Sequence, residues 1–401
     1  MKRLSKQSRG RILSLSFIAL TFIFVVVFIF KTGDLKQIAQ AFRSINPYWL
    51  AAAVGCFAVQ AFFEGWSISL FFKFYDIRLR LGAGVLVGLL GMYYGSITPS
   101  AAGAQPMQLF SLKKRGVPPG IASSVLAVKF FCWQLSFMLA GSVLWAMHGR
   151  LVYDTIGRAG IWLLIVGYLV NFLMVGAVIL LSISRNLVRA IIIFFVKFAH
   201  RLRYVKDVAA TSSRWDAALS EFHSSVEMIT RHPFQFLLIF FMSLVESVAL
   251  QSVVYFVYRG FGLAERSYFS ILTIQFLLYI VASSTPLPGD SGAQEGGFYF
   301  FFEKFFPSGT IFAALILWRS ITFYLQIICG FTAAIIDQAL SGRRARRKKR
   351  GLAEQKEEEE ADFPEQAEGE TEPSPQGGEE EGEAEAEDEP PASQTLDKAE
   401  P

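Results

Sequence analysis

SITPSAAGAQP at residues 96–106 and SSTPLPGDSGAQE at residues 283–295 are two versions of one phrase. Each reads ThrPro, a short spacer, GlyAlaGln, and then a short apolar arm, 107–112 in the first case and 298–302 in the second. Proline removes a backbone donor and glycine permits a tight turn, so each phrase breaks the apolar helix that precedes it. Broken backbone within an apolar stretch survives only where protein or water covers its freed N–H and C=O groups. Paired interruptions at corresponding positions of two halves are a sequence pointer to a central binding site.

The flanks repeat as well. Glu64 lies in an apolar run 34 residues before Thr98, and Glu246 in another 39 residues before Thr285. Lys129 follows Thr98 by 31 residues, and Arg319 follows Thr285 by 34, each ten residues into its run. That is about 15 Å of helix, too deep for easy snorkelling. The order acid, broken hairpin, base thus occurs twice.

Working outward, apolar runs lie at 12–30, 48–72, 81–97, 119–147, 159–182, 233–258, 267–285 and 309–337. Each crosses or nearly crosses a ~30 Å hydrocarbon layer. The first is read as an uncleaved span, because it is longer than a signal-peptide core and no small-residue cleavage site follows it. Of the 401 residues, 53% are hydrophobic and only 18% charged, which excludes a soluble globular enzyme. Charge is segregated. Residues 351–401 hold 20 Asp/Glu against Lys356 and Lys398, leaving 36 Lys/Arg and 14 Asp/Glu in residues 1–350.

Short loops rich in Lys/Arg stay in the cytoplasm. Were all eight runs to cross, the cations at 113–115 and the eight in 183–232 would lie outside. If runs 81–97 and 267–285 instead dip in, break and return, every basic loop is cytoplasmic. The expected fold is therefore an all-α polytopic membrane protein. Its eight apolar helices form six full crossings and two re-entrant helical hairpins in an inverted repeat, both termini inside. Repeat one covers about 48–148 and repeat two about 233–338, joined by a cytoplasmic or interfacial connector, 183–232. Within that connector, 187–199 reads as an interfacial helix and 207–230 as a short amphipathic one. Seven Lys/Arg at 343–350 either attract anionic lipid or only anchor the topology, and the acidic tail, 351–401, is expected to be disordered.

An unpaired charge at a helix centre costs ~2.5–3.5 kcal/mol on insertion scales, so Glu64, Lys129, Glu246 and Arg319 are expected to pair across the repeat interface. They then either fix helix packing or line a polar cavity through which a charged group passes. Thr98, Pro99, Gly103, Gln105, Thr285, Pro286, Gly289, Gly292 and Gln294 line the same candidate site, with Asp290 and Glu295 near its mouth. Cys56, Cys132 and Cys329 are far apart inside apolar runs and read as packing. The four histidines are scattered. No phosphate loop, nucleophile elbow, HExxH or CxxC is present, so neither cofactor, metal site nor covalent chemistry is expected.

These residues resemble one family. ThrPro…GlyAlaGlnPro with its LysLysArgGly-ValPro sequel, followed by the second phrase in the right order, is similar to the flippase-like transmembrane domain of lysylphosphatidylglycerol synthetases, over roughly 10–340. The resemblance implies a bacterial cytoplasmic-membrane protein that moves a lipid with an anionic or phosphate-bearing head group, with no nucleic-acid partner. In the full synthetase a separate soluble domain transfers lysine. Only charged low-complexity sequence follows residue 340 here, so no lysyltransferase activity is expected. Pro106 and the GlyAsp at 289–290 depart from the family pattern, which leaves the head group open. A non-transporting membrane scaffold or partner subunit remains the alternative, and a small-solute transporter a weaker third.

Overall fold

The computed structural model describes residues 42–184 and 233–342, with scattered residues between 186 and 227. The first apolar run, most of the connector, the basic cluster and the acidic tail lie outside the described residues, and of the two helices expected in the connector only scattered residues are described.

Among the described residues, five helices are long and apolar enough to cross a membrane. They are α1 (Pro47–Lys73), α4 (Pro119–Met147), α5 (Gly149–Ile183), α6 (Pro233–Gly260) and a last one that begins as α9 (Ile311–Arg319). Two shorter apolar helices, α2 (Leu81–Ser96) and α7 (Tyr268–Ala282), each lead into a break and a ten-residue return arm, α3 (Ala104–Lys113) and α8 (Ala293–Phe302). The chain is an all-α polytopic membrane protein. The five long helices coincide with runs expected to cross, and the two short ones with runs expected to break.

Local chemistry sets these boundaries. Pro47 occupies the first turn of α1, where its missing N–H costs nothing, and Asn46 accepts from Tyr48 N at 3.0 Å. Asn46 N also donates to Gly260 O at 2.9 Å, tying the start of α1 to the end of α6. These two helices, the first of each repeat, form the central pair, and α4 packs on α6 beside them. α5 is longer than expected, because residues 149–156 are also helical. Gly157, at φ +63°, separates them from the apolar stretch 158–183.

α2 packs on α1 through small residues. Gly65 meets the Val85 backbone, and Gly84 meets Ser69 and the Gly65 carbonyl, contacts that a side chain would block. On the far side, Gln134 Nε2 donates to Asn171 Oδ1 at 2.6 Å, and Asn171 Nδ2 donates to Ile280 O at 3.1 Å. That chain fastens α5 to the end of α7, just before the second break.

The two breaks share one backbone shape. Each is an extended residue, Thr98 or Leu287, followed by a 3₁₀ turn, Pro99–Ala101 or Pro288–Asp290. Each turn holds two consecutive left-handed residues, Ser100 and Ala101 (φ +50° and +52°) and Gly289 and Asp290 (φ +59° and +52°). Counted back from GlyAlaGln, the partner of Pro99 is therefore Pro288. The ThrPro match of the sequence, which set Pro286 against Pro99, is out of register by two residues. The two turns pack against each other, and α2 also touches the second one. Left-handed geometry costs roughly 1–2 kcal/mol for a side chain with a Cβ, and Ser100, Ala101 and Asp290 all adopt it. Strain of this kind persists only where the surroundings impose it.

Candidate functional site

The first charge cluster is built by four helices. Glu64 lies on the buried face of α1. α2 approaches it closely because Gly88 has no side chain; a Cβ there would stand 2.6 Å from Glu64 Cγ. Gly91, one turn further on, leaves the matching space for the Gln108 amide of α3. Gln108 Nε2 donates to Glu64 Oε1 at 3.1 Å. Lys129 Nζ, from α4, donates to Glu64 Oε2 and, at 3.3 Å, to Glu246 Oε2 on α6. The four side chains belong to residues only 3–8% exposed. At that burial a lone charge is expensive, so Lys129 is held where two carboxyls and no open solvent surround it.

The second cluster belongs to repeat two. Arg319 Nε donates to Glu295 Oε1 at 2.7 Å, and Nη2 reaches Gly289 O at 3.2 Å and Ser291 Oγ at 3.4 Å. The other oxygen of Glu295 accepts from Gly292 N at 2.5 Å, so the same carboxylate also caps the start of α8. Arg319 also lies over the Phe323 ring, 4.4 Å from its centroid. Gly289 is required there, since a Cβ would run into that same ring. Immediately after Arg319 the helix opens into a π-helical turn, Ser320–Tyr324, and the α-helix then resumes. Such turns are frequent at functional sites.

Thr98 Oγ1 donates to Tyr94 O at 2.6 Å and accepts from Gly103 N at 2.9 Å, so it pins the first turn to both arms. Thr285 Oγ1 donates to Ala282 O at 2.7 Å. Pro99, Pro286 and Gly292 are exposed, and Gly103 and Asp290 half-buried. Gln105 and Gln294 occupy equivalent positions with different surroundings. Gln105 is exposed, whereas Gln294 is buried and its Oε1 has no hydrogen-bond partner.

Two expectations need correction. Lys129 and Glu246 do pair across the repeats, but Arg319 stays within its own. With Glu246 committed to Lys129, Arg319 takes its carboxylate from the hairpin, where Glu295 stands in the position Pro106 holds in repeat one. Glu295 is accordingly 8% exposed and part of the cluster, not a group at the mouth. The charges close on one another, and a recess of about 490 Å³ lies against Ser142, Trp145, Ala146, Gly149 and Tyr168.

Sequence reading passed over Gln108, the polar residue of an otherwise apolar stretch of return arm. It also missed Asp337, a lone carboxylate late in the last apolar run. Asp337 is buried; Oδ1 receives Arg115 Nη2 at 2.6 Å and Ser111 Oγ at 3.1 Å, while Lys114 Nζ stands 3.8 Å from Oδ2. This third cluster joins the return arm of repeat one to the end of the last helix. Gln326 Nε2 adds a second tie, donating to Ser96 Oγ at 3.0 Å and Met92 O at 3.2 Å. The basic residues 113–115, read as a loop signal alone, are thus partly structural.

A family model described as the lysylphosphatidylglycerol synthase TM region matches residues 11–330 of the chain. A UPF0104 membrane protein from Archaeoglobus fulgidus is 25% identical over 316 residues, which is 76% of this chain and 92% of that protein.

Proposed function

Because the chain belongs to the lysylphosphatidylglycerol synthase TM-region family, we propose that it moves a lipid with a phosphate-bearing head group between the two leaflets. The observation that carries this reading is the meeting of the two broken turns, with Arg319 bonded to the second turn and Lys129 buried between carboxyls of both repeats. In this reading the hairpins enter from opposite faces of the cytoplasmic membrane, and the basic loops and both termini lie in the cytoplasm.

A head group must cross ~30 Å of hydrocarbon while its tails remain in lipid. Fixed polar partners replace the hydration it loses. Arg319 is suited to that task. Its Nε bond to Glu295 is short, but its Nη2 edge is held only by contacts of 3.2 and 3.4 Å. A phosphate oxygen can replace those two contacts and leave the carboxylate bond in place. The planar guanidinium then offers paired donors, whereas Lys129 acts as a compact point charge. Since each cation is engaged by its own partners, passage requires the two halves to part at the turns.

The alternative, a membrane scaffold held together by its ion pairs, draws on the same closure. Reconstitution separates the two. Liposomes containing the purified chain and a head-group-labelled anionic phospholipid should show label reaching the opposite leaflet faster than in protein-free liposomes. Equal rates in both would leave the scaffold reading.

A further inference from the structure

The charges of the first cluster do not balance. Two carboxylates, Glu64 and Glu246, converge on one ammonium, Lys129, and the remaining contact is from the uncharged amide of Gln108. The other deep cation, Arg319, is already committed to Glu295. Groups facing the cluster from neighbouring turns add nothing positive. Cys132 is one turn from Lys129 on α4, and Tyr279 of α7 lies within electrostatic reach of Glu246, Asp290 and Arg319. With every group ionised, one negative charge would stay uncompensated in a water-excluded site, a cost usually avoided by neutralising a carboxyl.

The rim of the cluster points the same way. Gln60 Oε1, one turn from Glu64 on the same face of α1, is buried without a hydrogen-bond partner, and it can only accept. An ionised carboxylate offers that oxygen no donor; a neutral carboxyl carries one. A metal ion is a poor occupant, since the ammonium repels it and no group of three or more His, Cys, Asp or Glu side chains converges among the described residues.

We propose that Glu64, Lys129 and Glu246 form a proton-binding site in which the two carboxyls share one proton, and that this proton travels with the lipid head group. The second half rests on the transport reading above; the first does not. The coupling follows from electrostatics. An anionic phosphate arriving at Lys129 withdraws positive charge from the carboxyls and favours their neutral form, so head group and proton bind together and, by reciprocity, leave together. On release the O–H bond breaks, the proton passes to water and the carboxylate keeps the electron pair. Transfer should then run faster toward an alkaline compartment.

Infrared difference spectroscopy of the full chain at neutral pH tests the site without any transport assay. The carbonyl absorption of a neutral carboxyl should be present in wild type and in Asp290→Asn. It should vanish in both Glu64→Gln and Glu246→Gln, because either replacement leaves Lys129 with a single carboxylate. Absence of the band in wild type, or its survival in either Gln variant, would overturn the shared proton, and the wild-type arm needs no variant to fold. A sodium-dependent carboxylate shift without the band would assign the site to another ion and equally overturn it. In liposomes, a pH difference should change the wild-type transfer rate. A preserved band with no lipid transfer at all refutes the transport reading while leaving the proton site standing. Transfer that ignores the pH difference refutes the coupling alone.

Discussion

The two ion clusters should respond very differently to loss of one carboxylate. In Glu295→Gln, Arg319 loses the carboxylate bonded to its Nε at 2.7 Å and keeps uncharged acceptors and the face of Phe323, with no carboxylate. Stranding a buried charge typically costs ~3–5 kcal/mol. Glu64→Gln differs, because Lys129 still has Glu246 at 3.3 Å and the new amide oxygen can accept in place of the carboxylate. Its cost should resemble that of one altered hydrogen bond, about 0.5–1.5 kcal/mol. At a few degrees per kcal/mol, the melting temperatures of the two variants should differ by on the order of 10 °C. The double variant Glu295→Gln/Arg319→Gln removes both charges together and should recover most of that loss. Thermal unfolding of the purified chains in one detergent is the assay. A Glu64→Gln protein as destabilised as Glu295→Gln, or a double variant no better than the single, would refute the reasoning from charge balance. The sequence alone suggests instead that losing Glu64 or Glu246 strands a cation, which overlooks that Lys129 holds both.

Further outcomes follow from the same contacts. Cysteines introduced at Lys114 and Arg214 should resist an impermeant thiol reagent added outside intact cells, and modification of either would defeat the re-entrant topology. Gly88→Ala should destabilise by roughly 1–3 kcal/mol, because its Cβ would stand 2.6 Å from Glu64 Cγ, whereas Gly55→Ala, with open space around it, should not. Asp337→Asn strands Arg115, so it should lower the melting temperature, while Asp337→Glu should retain part of it. Unchanged unfolding in Asp337→Asn would remove that cluster from the account.

Much of this arrangement is legible in the sequence because its signals are local. A break needs Pro and Gly in a short window, and a charge in an apolar run stands out whatever its partner. Hence α2 and α7 end where the two phrases begin, and Glu64, Lys129, Glu246 and Arg319 are all buried among helices. Partner choice is not local. Which carboxylate Lys129 takes depends on how α6 crosses α4, and Arg319 turns to Glu295 only because Glu246 is committed elsewhere. The register of the second turn was hidden by chemistry of the same kind. Pro286 and Pro288 are two residues apart, and only the repeated left-handed pairs show that Pro288 matches Pro99. Gln108 and Asp337 carried weaker signals, an amide in a mostly apolar arm and one carboxylate close to a basic cluster. Their roles depend on Gly91 opening space for one and on Arg115 reaching the other.

The central claim is that Arg319 meets the head group and does more than hold helices together. Leaflet-to-leaflet transfer of a labelled anionic phospholipid by the double variant Glu295→Gln/Arg319→Gln tests it most directly, scored beside its melting temperature, since this variant leaves no charge stranded. A protein that unfolds within a few degrees of wild type yet transfers lipid no faster than protein-free liposomes is the predicted result. Wild-type transfer by that normally folded double variant would contradict it.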